Sequence, residues 1–498
     1  MKKKLNILYC SSEVTPFSKT GGLGDVSGSL PKALAEMGCD IRVITPLYPG
    51  VSESPDRFKK LLGPLSVKTG ERAEECSLFE SRLPDSKVPV YFISNDKYFN
   101  RKGLYQDEGR DYEDNLERFS FFSMAVLSSV KKMDWSPDII HCNDWQTSLV
   151  SIYLKTIVKD DRELREFYRN SGSVFTIHNL GYQGIFNKEK FPLTGLRPSI
   201  FNINGVEYYG KLNLLKGGII FSDIVTTVSP SYSKEIQTEE NGYGLEGVLR
   251  ERRKDLYGIL NGVDYKEWDP LTDRHIVSHY SLKSISRKKG CKRDLQKNCG
   301  LTIKDVPLIG IVARLDDHKG FDILIEVMNE LMQLELQMVI LGTGKPKYQD
   351  ILKRLAAKYP AKISVNLFFD DTLAHKIEAG ADIFLIPSKY EPCGLSQLYS
   401  FRYGTVPVAH KTGGLADTIT DSTPSNIVAD KATGFLFSHY SAEDLLKSIL
   451  LALSVYRNKA QWKRLMVTGM KSDFSWKRSA GEYVRLYKKI LAKIKNQN

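Results

Sequence analysis

Short apolar runs alternate with helical repeats of apolar residues along the start of the chain. Residues 5–10 form an apolar run of the length of one buried strand. A repeat at helical spacing follows at Val26, Leu30, Ala33, Leu34 and Met37. Gly38 ends this predicted helix, and residues 41–45 predict the next strand. The pattern indicates βαβ units, in which parallel strands form a sheet covered by helices on both faces.

The same alternation continues through both halves of the chain. In the first half it predicts a helix over 115–130 and strands over 88–93, 138–141, 173–177 and within 219–228. In the second half it predicts strands over 308–313, 337–341, 363–368, 383–386 and 406–409, and helices over 321–333, 348–358, 372–379 and 395–403. Both halves therefore belong to the α/β class, each with a doubly wound parallel sheet.

A turn signal near the middle of the chain marks the predicted domain boundary. Asn261 and Gly262 form an Asn-Gly pair, and the polar segment 265–286 carries no strand pattern. We therefore expect one Rossmann-like domain over 1–262 and a second over 263–475. A last helix over 476–498 fits neither alternating series. Two such domains facing each other across a deep cleft are the expected architecture, with ligands beyond the carboxyl ends of the strands.

Length and composition agree with a protein of two large domains. The chain has 498 residues, of which 42% are hydrophobic and 26% charged, as in globular proteins. Its seven cysteines are scattered without a C-x-x-C pair, which indicates reduced thiols and argues against a structural zinc site. The sequence shows no run of membrane-spanning length and no signal peptide pattern. We expect a cytoplasmic protein without a membrane partner.

The net charge of +12 raises the possibility of a nucleic acid partner. The basic residues cluster locally, at 250–254 and 287–293. Neither cluster is interleaved with aromatic residues, as a surface that stacks on bases would be. We interpret both clusters as solvated faces and expect no nucleic acid partner.

A glycine-rich loop at residues 18–26 lies between a predicted strand and a predicted helix N-terminus. Free backbone N–H groups at such a place favour an anion, and Lys19 adds a positive charge. The loop therefore predicts a site for a ligand that carries a diphosphate. The alternative is that its glycines only form a tight turn. A second copy, at residues 411–417, favours the ligand site.

Polar and aromatic residues end two predicted strands of the first domain. Segment 141–147 contains Asp144, and segment 176–184 contains His178 and Asn179. Side-chain amides and imidazoles hydrogen-bond hydroxyl groups, and aromatic faces stack on sugar rings, so a hydroxyl-rich ligand is expected there. A lone histidine at a strand end is more often structural, and that interpretation stays open for His178.

Charged residues follow two strands of the second domain. Arg314 and Lys319 come after the strand at 308–313, where two cations beside a helix N-terminus can hold a diphosphate and stabilise it as a leaving group. Glu391 follows the strand at 383–386 and can bind a sugar hydroxyl or stabilise a developing oxocarbenium charge. Solvated charges, and for Glu391 a partner of the helix dipole, are the structural alternatives.

Motifs for metal-assisted chemistry are missing from the sequence. Gly344 and Lys345 are followed by Pro346, which excludes a P-loop, and the sequence has no H-E-x-x-H and no D-x-D that would hold a metal for a nucleotide sugar. We therefore expect no metal and no cofactor.

These residues together resemble the bacterial and plant-type glycogen and starch synthases. The resemblance rests on ordered motifs over nearly the whole chain, at 13–26, 143–145, 178–179, 244–249, 259–264, 386–397 and 412–417. It implies the GT-B fold, two Rossmann-like domains whose last helix crosses back to the first. It also implies transfer of glucose from ADP-glucose to the non-reducing end of an α-1,4-glucan (glycogen or a maltooligosaccharide), with retention and release of ADP.

The resemblance further implies residue roles. The implied catalytic residues are His178, Arg314, Lys319 and Glu391. The implied donor-binding residues are Lys19, Gly22, Arg314, Lys319, Glu391, Cys393, Gly394, Leu395, Thr412 and Gly413. The implied acceptor or cleft residues are Tyr105, Asp144, Asn179 and Asn261. Because we find no candidate for a carboxylate nucleophile on the opposite face, a front-face route with an oxocarbenium-like transition state is expected.

Three alternatives stay open at this point. Another GT-B glycosyltransferase would use a different sugar nucleotide or acceptor. A catalytically silent glucan-binding protein is disfavoured by the intact Lys19, Arg314, Lys319 and Glu391. An NAD oxidoreductase is disfavoured because neither glycine loop is followed, about twenty residues on, by an acidic residue in the right strand context.

Overall fold

The computed structural model describes residues 4–51 and 58–496. The chain forms two compact units, one of residues 1–262 with 476–498 and the other of residues 263–475. All seven cysteines, each within the described residues, are thiols.

The first unit is built on a nine-stranded sheet with a small three-stranded and a two-stranded sheet beside it. Its strands are β1 (Asn6–Cys10), β2 (Asp40–Pro46), β3 (Lys59–Thr69), β4 (Arg72–Arg82), β5 (Pro89–Ser94), β6 (Gln106–Asp107), β7 (Arg110–Asp111), β8 (Ile139–Asn143), β9 (Gly172–Ile177), β10 (Ile185–Asn187), β11 (Glu207–Tyr208), β12 (Lys211–Asn213), β13 (Ile224–Thr227) and β14 (Leu256–Gly258). The large sheet has the order β14-β13-β9-β8-β1-β2-β5-β4-β3.

Helices follow or precede most of these strands, as parallel pairing requires. They are α1 (Gly22–Glu36), α2 (Asp96–Phe99), α3 (Asn115–Lys132), α4 (Asp144–Lys155), α5 (Ile157–Asp160), α6 (Arg162–Tyr168), α7 (Leu214–Phe221), α8 (Pro230–Glu235) and α9 (Glu246–Glu251), with 3₁₀ turns at Lys188–Thr194 and Pro198–Ile200.

The sheet of the first unit is parallel except at one end. β3 pairs with β4, and β4 with β5, in the antiparallel sense. The sequence pattern did not predict this hairpin, because most side chains of β3 are exposed or half-buried and form no continuous apolar run. The fully parallel sheet predicted for this half therefore gains an antiparallel edge.

The second unit is a six-stranded sheet in which every pair is parallel. Its strands are β15 (Leu308–Val312), β16 (Gln337–Leu341), β17 (Ile363–Asn366), β18 (Ile383–Ile386), β19 (Val406–His410) and β20 (Phe435–Phe437). Its helices are α10 (Lys288–Asn298), α11 (Phe321–Leu331), α12 (Pro346–Lys358), α13 (Asp371–Gly380), α14 (Ser396–Tyr403), α15 (Gly413–Thr418), α16 (Pro424–Val428), α17 (Ala442–Arg457) and α18 (Lys459–Lys471), with 3₁₀ turns at Leu282–Arg287 and Asp317–Lys319.

Each large sheet has one point at which the strand order reverses. In the first unit the chain proceeds from β1 to β2 on one side and places β8 on the other. In the second unit the order β17-β16-β15-β18-β19-β20 reverses between β15 and β18. Open α/β sheets bind ligands beyond the carboxyl ends of the strands at such a switch point. A ligand-binding site is therefore expected at the segments after β1, β8, β15 and β18.

The last helix, α19 (Trp476–Lys495), packs against α1 and β9 of the first unit. Tyr487 approaches His141 of β8, with its hydroxyl 2.7 Å from the Nδ1 atom. Gly172 at the start of β9 leaves the room that Ile490 of α19 fills, since a Cβ there would lie 2.1 Å from Ile490 Cγ2. The absence of one side chain on β9 thus allows the helix to approach the sheet closely.

We predict that Gly172→Ala destabilises the first unit by about 1–3 kcal/mol, because the new methyl group overpacks the contact with Ile490. Thermal or urea unfolding measures the effect, and Ile490→Leu in the same chain, which lacks the Cγ2 branch, should recover part of the loss. Gly247→Ala is the matched control, because nothing lies within 4 Å of a Cβ at Gly247. Equal stability of Gly172→Ala and the wild type would contradict this packing.

Candidate active site

Three adjacent strands of the first unit bring their polar ends together. β1 pairs with β8, and β8 with β9, in parallel register. Asn143 ends β8, Asp144 begins α4, and His178 follows β9 directly. Asn143 Oδ1 accepts hydrogen bonds from Tyr9 at 3.1 Å, while its Nδ2 donates to Cys10 O at 2.9 Å. A buried amide thus links β1 and β8, the two strands at the switch point of the first sheet.

Asp144 is a buried carboxyl group in a left-handed backbone conformation, with φ of 55°. Its Oδ1 accepts the backbone N–H of His178 at 2.8 Å. Burial raises the pKa of Asp144 to about 7, and hydrogen bonds from the backbone of His178 and Asn179 only partly offset this effect. Near neutral pH the group therefore exists in both protonation states.

The protonation state of His178 follows from its neighbour. Its Nε2 lies 2.9 Å from Asn143 Oδ1. Because that oxygen can only accept, Nε2 carries the proton and Nδ1 keeps its lone pair. Desolvation lowers the pKa of His178 to about 3, so the ring is neutral at pH 7. A neutral imidazole with one lone pair is suited to accept a hydrogen bond from a hydroxyl group.

The glycine-rich loop of the first unit encloses a carboxylate of its own chain. Glu13 accepts the backbone N–H groups of Thr20 at 2.6 Å and Gly21 at 3.2 Å, and the Thr20 hydroxyl at 2.6 Å. Tyr105 donates its hydroxyl to the same carboxylate at 2.8 Å. The sequence predicted that N–H groups of this loop hold a ligand anion. Two of them, those of Thr20 and Gly21, bind Glu13, because a buried carboxylate requires hydrogen-bond donors.

The remaining predicted residues of the first unit differ in their contacts. Gly22 is the first residue of α1, and Lys19 forms an ion pair of 2.7 Å with Asp25 of the same helix. Asn179 Oδ1 accepts the backbone N–H of Gly181 at 2.9 Å. Asn261 is buried, and its Oδ1 has no hydrogen-bond partner among the described residues. A buried amide oxygen in this state is a candidate for a ligand contact.

An ion pair dominates the switch point of the second unit. Lys319, in the 3₁₀ turn after β15, places its Nζ 2.6 Å from Glu391 Oε2 in the loop after β18. Ser388 donates its hydroxyl to the same oxygen at 2.9 Å. Both charged side chains are mostly buried, with 27% and 12% exposure. Two side chains 72 residues apart in sequence thus form one site.

Arg314 stands at the same edge of the sheet and is more exposed. Its side chain is 63% exposed, and its Nε lies 3.9 Å from Asp316 Oδ2. Asp316 also caps the 3₁₀ turn, because its Oδ1 accepts the backbone N–H of Lys319 at 3.0 Å. Gly320 then turns with φ of 76°, where a Cβ would lie 2.0 Å from Pro387 O. The turn therefore brings Lys319 against the Glu391 loop, and Arg314 lies just before the turn in sequence.

The second glycine pair supports the loop that carries Glu391. A Cβ at Gly413 would lie 2.0 Å from Glu391 O, and one at Gly414 would lie 2.0 Å from Cys393 O. The Gly414 N–H donates to Glu391 O at 3.1 Å. These contacts explain why two glycines are needed after Thr412, the N-cap of α15. Gly413 and Gly414 therefore have a packing role that does not depend on contact with a sugar donor.

Gln397 is a residue that sequence reasoning left without a role. Its Nε2 donates to Cys393 O at 3.0 Å and Gly394 O at 2.9 Å, which holds the loop over the start of α14. Gly394 has φ of 68°, and Leu395 is the N-cap of α14. Glu13, Asn143 and Ser388 were missed in the same way. Each of these residues is a polar residue within one of the sequence motifs, and no other feature of the sequence marks it.

The starch synthase catalytic domain family matches residues 6–251, and the group 1 glycosyl transferase family matches residues 293–464. The chain is 46% identical to the glycogen synthase of Thermotoga petrophila over 496 residues, covering 98% of this chain and 100% of the relative. It is also 46% identical to the glycogen synthase of Geotalea daltonii over 490 residues, covering 98% and 99%.

Solved structures give the same result. The catalytic domain of starch synthase IV from Arabidopsis thaliana, bound to ADP and acarbose, matches with a TM-score of 0.90 and 32% identity, covering 98% of this chain and 100% of that one. Sucrose-phosphate synthase from Thermosynechococcus elongatus matches with a TM-score of 0.58 and 18% identity, which shows a shared fold alone.

Within the described part of the chain, no helix has the length and apolar character needed to cross a membrane.

We predict a pH-dependent effect of Asp144→Asn. The native pKa of about 7 exceeds the unfolded value near 3.9, so the wild type loses stability as pH rises between these values. Asparagine does not titrate and tolerates positive φ. The stability of Asp144→Asn relative to the wild type should rise by up to about 1.4 kcal/mol per pH unit between pH 4 and 7. Urea unfolding at several pH values measures this slope, and a constant difference would contradict it.

Proposed function

This chain belongs to the glycogen and starch synthase family, and we propose that it extends an α-1,4-glucan with glucose taken from ADP-glucose. Its activity is glycogen synthesis by a glycosyltransferase reaction. The identity of the donor and the roles of individual residues in the transfer are proposals. The observation that carries them is the ion pair of Lys319 and Glu391 at the switch point of the second sheet, with Arg314 following the same strand as Lys319.

Two cations at that edge suit a nucleoside diphosphate. The related starch synthase IV binds ADP. In this chain Arg314 and Lys319 precede the N-terminus of α11, so two side-chain charges and the helix dipole favour an anion there. As the bond to the anomeric carbon breaks, negative charge grows on the diphosphate, and both cations stabilise it. We propose that this charge is neutralised without a metal cofactor.

Glu391 is proposed to hold the glucosyl unit. One of its oxygens is already bound by Lys319 and by the Ser388 hydroxyl. When the diphosphate attracts Lys319, that carboxylate oxygen becomes available to a sugar hydroxyl or to the developing oxocarbenium charge. The acceptor then attacks from the face that ADP leaves, which retains the anomeric configuration. Cys393, Gly394 and Leu395 shape the wall of this proposed donor site.

The polar edge of the first unit is proposed to bind glucan hydroxyls. His178 offers the lone pair of Nδ1, and Asp144 and Asn179 lie directly beside it. Asn261 adds a buried amide oxygen without a partner among the described residues. Tyr105 is bound to Glu13 and Ser12, so its proposed role is to position the loop that carries Lys19. A cytoplasmic location stays a prediction from the sequence, which shows no signal peptide pattern and scattered cysteines.

We predict that Arg314→Ala and Lys319→Ala each lower turnover by about 10²–10³, the size of a lost stabiliser of developing charge. Incorporation of labelled glucose from ADP-glucose into glycogen measures turnover, and circular dichroism with a melting curve checks the fold. Lys447→Ala is the control, because Lys447 is an exposed lysine paired with Glu443 on α17. Turnover close to the wild type in both site variants would contradict the leaving-group role.

The same assay tests the donor. With ADP-glucose and UDP-glucose supplied in parallel, we expect incorporation from ADP-glucose to dominate. Transfer from UDP-glucose alone would leave the glycosyltransferase activity in place and overturn the proposed donor.

A further inference from the structure

Outside the proposed donor site, three side chains of the second unit lie close together and are of the types that bind metal ions. His275, Asp371 and His375 each offer one ligand atom, and these atoms all lie within 4.8 Å of one another. His375 and Asp371 share one turn of α13, whereas His275 comes from the polar segment before α10. The spacing of the two histidines in the sequence does not predict that they lie close together, because their proximity depends on the tertiary fold.

His375 is the fixed member of the group. Its side chain is 1% exposed, and its Nδ1 lies 2.8 Å from Asp273 Oδ2. A carboxylate at that distance accepts the Nδ1 proton, so the lone pair is on Nε2. That Nε2 atom is buried and has no hydrogen-bond partner among the described residues, and the nearest Asp371 oxygen is 4.0 Å away. An orphaned lone pair of this kind requires an explanation.

The surroundings hold the ring of His375 in one orientation. The Trp268 ring stacks on it with centroids 3.8 Å apart and planes 9° apart. Asp273 also accepts the Tyr403 hydroxyl and the backbone N–H of His275, the latter at 2.8 Å. One carboxylate thus positions both histidines. Metal-binding histidines are oriented by a carboxylate on the second ring nitrogen in just this manner.

We propose that His275, Asp371 and His375 bind a divalent zinc-like cation, with water as the fourth ligand. Two imidazole nitrogens and one carboxylate oxygen are a ligand set that Zn²⁺ prefers. Tetrahedral bonds of about 2.0–2.1 Å place ligand atoms about 3.3 Å apart, so the group contracts on binding. Asp371 is 51% exposed and His275 is half-buried, and their side chains supply this movement while His375 stays in place.

Binding replaces one weak contact of His275. Its Nδ1 lies 3.0 Å from the Thr372 hydroxyl, and its Nε2 lies 3.4 Å from Arg274 Nε. Both contacts are exposed, so a metal displaces one of them at small cost. The ion then joins the polar segment around Asp273 to the N-terminus of α13. We therefore expect a structural site that stabilises the second unit, separate from the transfer chemistry.

The full-length protein, stripped with EDTA and dialysed, is titrated with Zn²⁺ by calorimetry. One ion per chain is expected, together with a rise in the melting temperature. His275→Ala combined with Asp371→Asn should weaken Zn²⁺ binding at least 100-fold, and these partly exposed side chains can be changed without disturbing the core. His439→Ala combined with Asp444→Asn is the matched control, because it removes another histidine–aspartate pair, 3.0 Å apart.

Co²⁺ provides a second readout that does not depend on heat. The wild type should give the intense visible absorption of tetrahedral Co²⁺, the double variant should lose it, and the control should keep it. Zn²⁺ affinity within threefold of the wild type in His275→Ala/Asp371→Asn would overturn the proposal. So would a weak octahedral Co²⁺ spectrum in the wild type, or equal loss in the control.

Discussion

The ion pair between Lys319 and Glu391 is the interaction on which the site of the second unit depends. Taking two charges out of water is costly, so both must be paired when no ligand is bound. Their 2.6 Å contact and the Ser388 hydroxyl meet this need. Glycines let the backbone segments beside the pair pack closely, with Gly320 against Pro387 O and Gly414 against Cys393 O. Packing of the backbone thereby fixes the position of the charge that we propose acts on the donor.

The first unit stabilises its buried carboxyl groups with hydrogen-bond donors. Glu13 is satisfied by the N–H groups of its own glycine loop, and Asp144 by the backbone of His178. His178 is neutral because burial lowers its pKa. The two sheets therefore present different surfaces at their switch points. One offers neutral and weakly acidic hydrogen-bonding groups suited to sugar hydroxyls, and the other offers the cations suited to a diphosphate.

The sequence pattern was most accurate where strands are buried on both faces. The predicted strands at 337–341 and 383–386 have the bounds found in the structure, because continuous apolar runs mark such strands. The β3–β4 hairpin was missed because one of its strands is largely exposed. Helix α4 was missed because its polar first turn was interpreted as a strand end. The partners of Glu13 and Lys319 depend on tertiary contacts that residue spacing does not reveal. The pattern did place Lys319 and Glu391 after strands, where the structure has them.

The proposed mechanism requires that the donor diphosphate and Glu391 compete for Lys319. The most direct test is the dissociation constant of ADP, measured by calorimetry for the wild type and for Glu391→Gln. Removing the carboxylate charge frees Lys319, so ADP should bind about three- to tenfold more tightly while transfer to glycogen falls. Unchanged or weaker ADP binding by Glu391→Gln would contradict the claim.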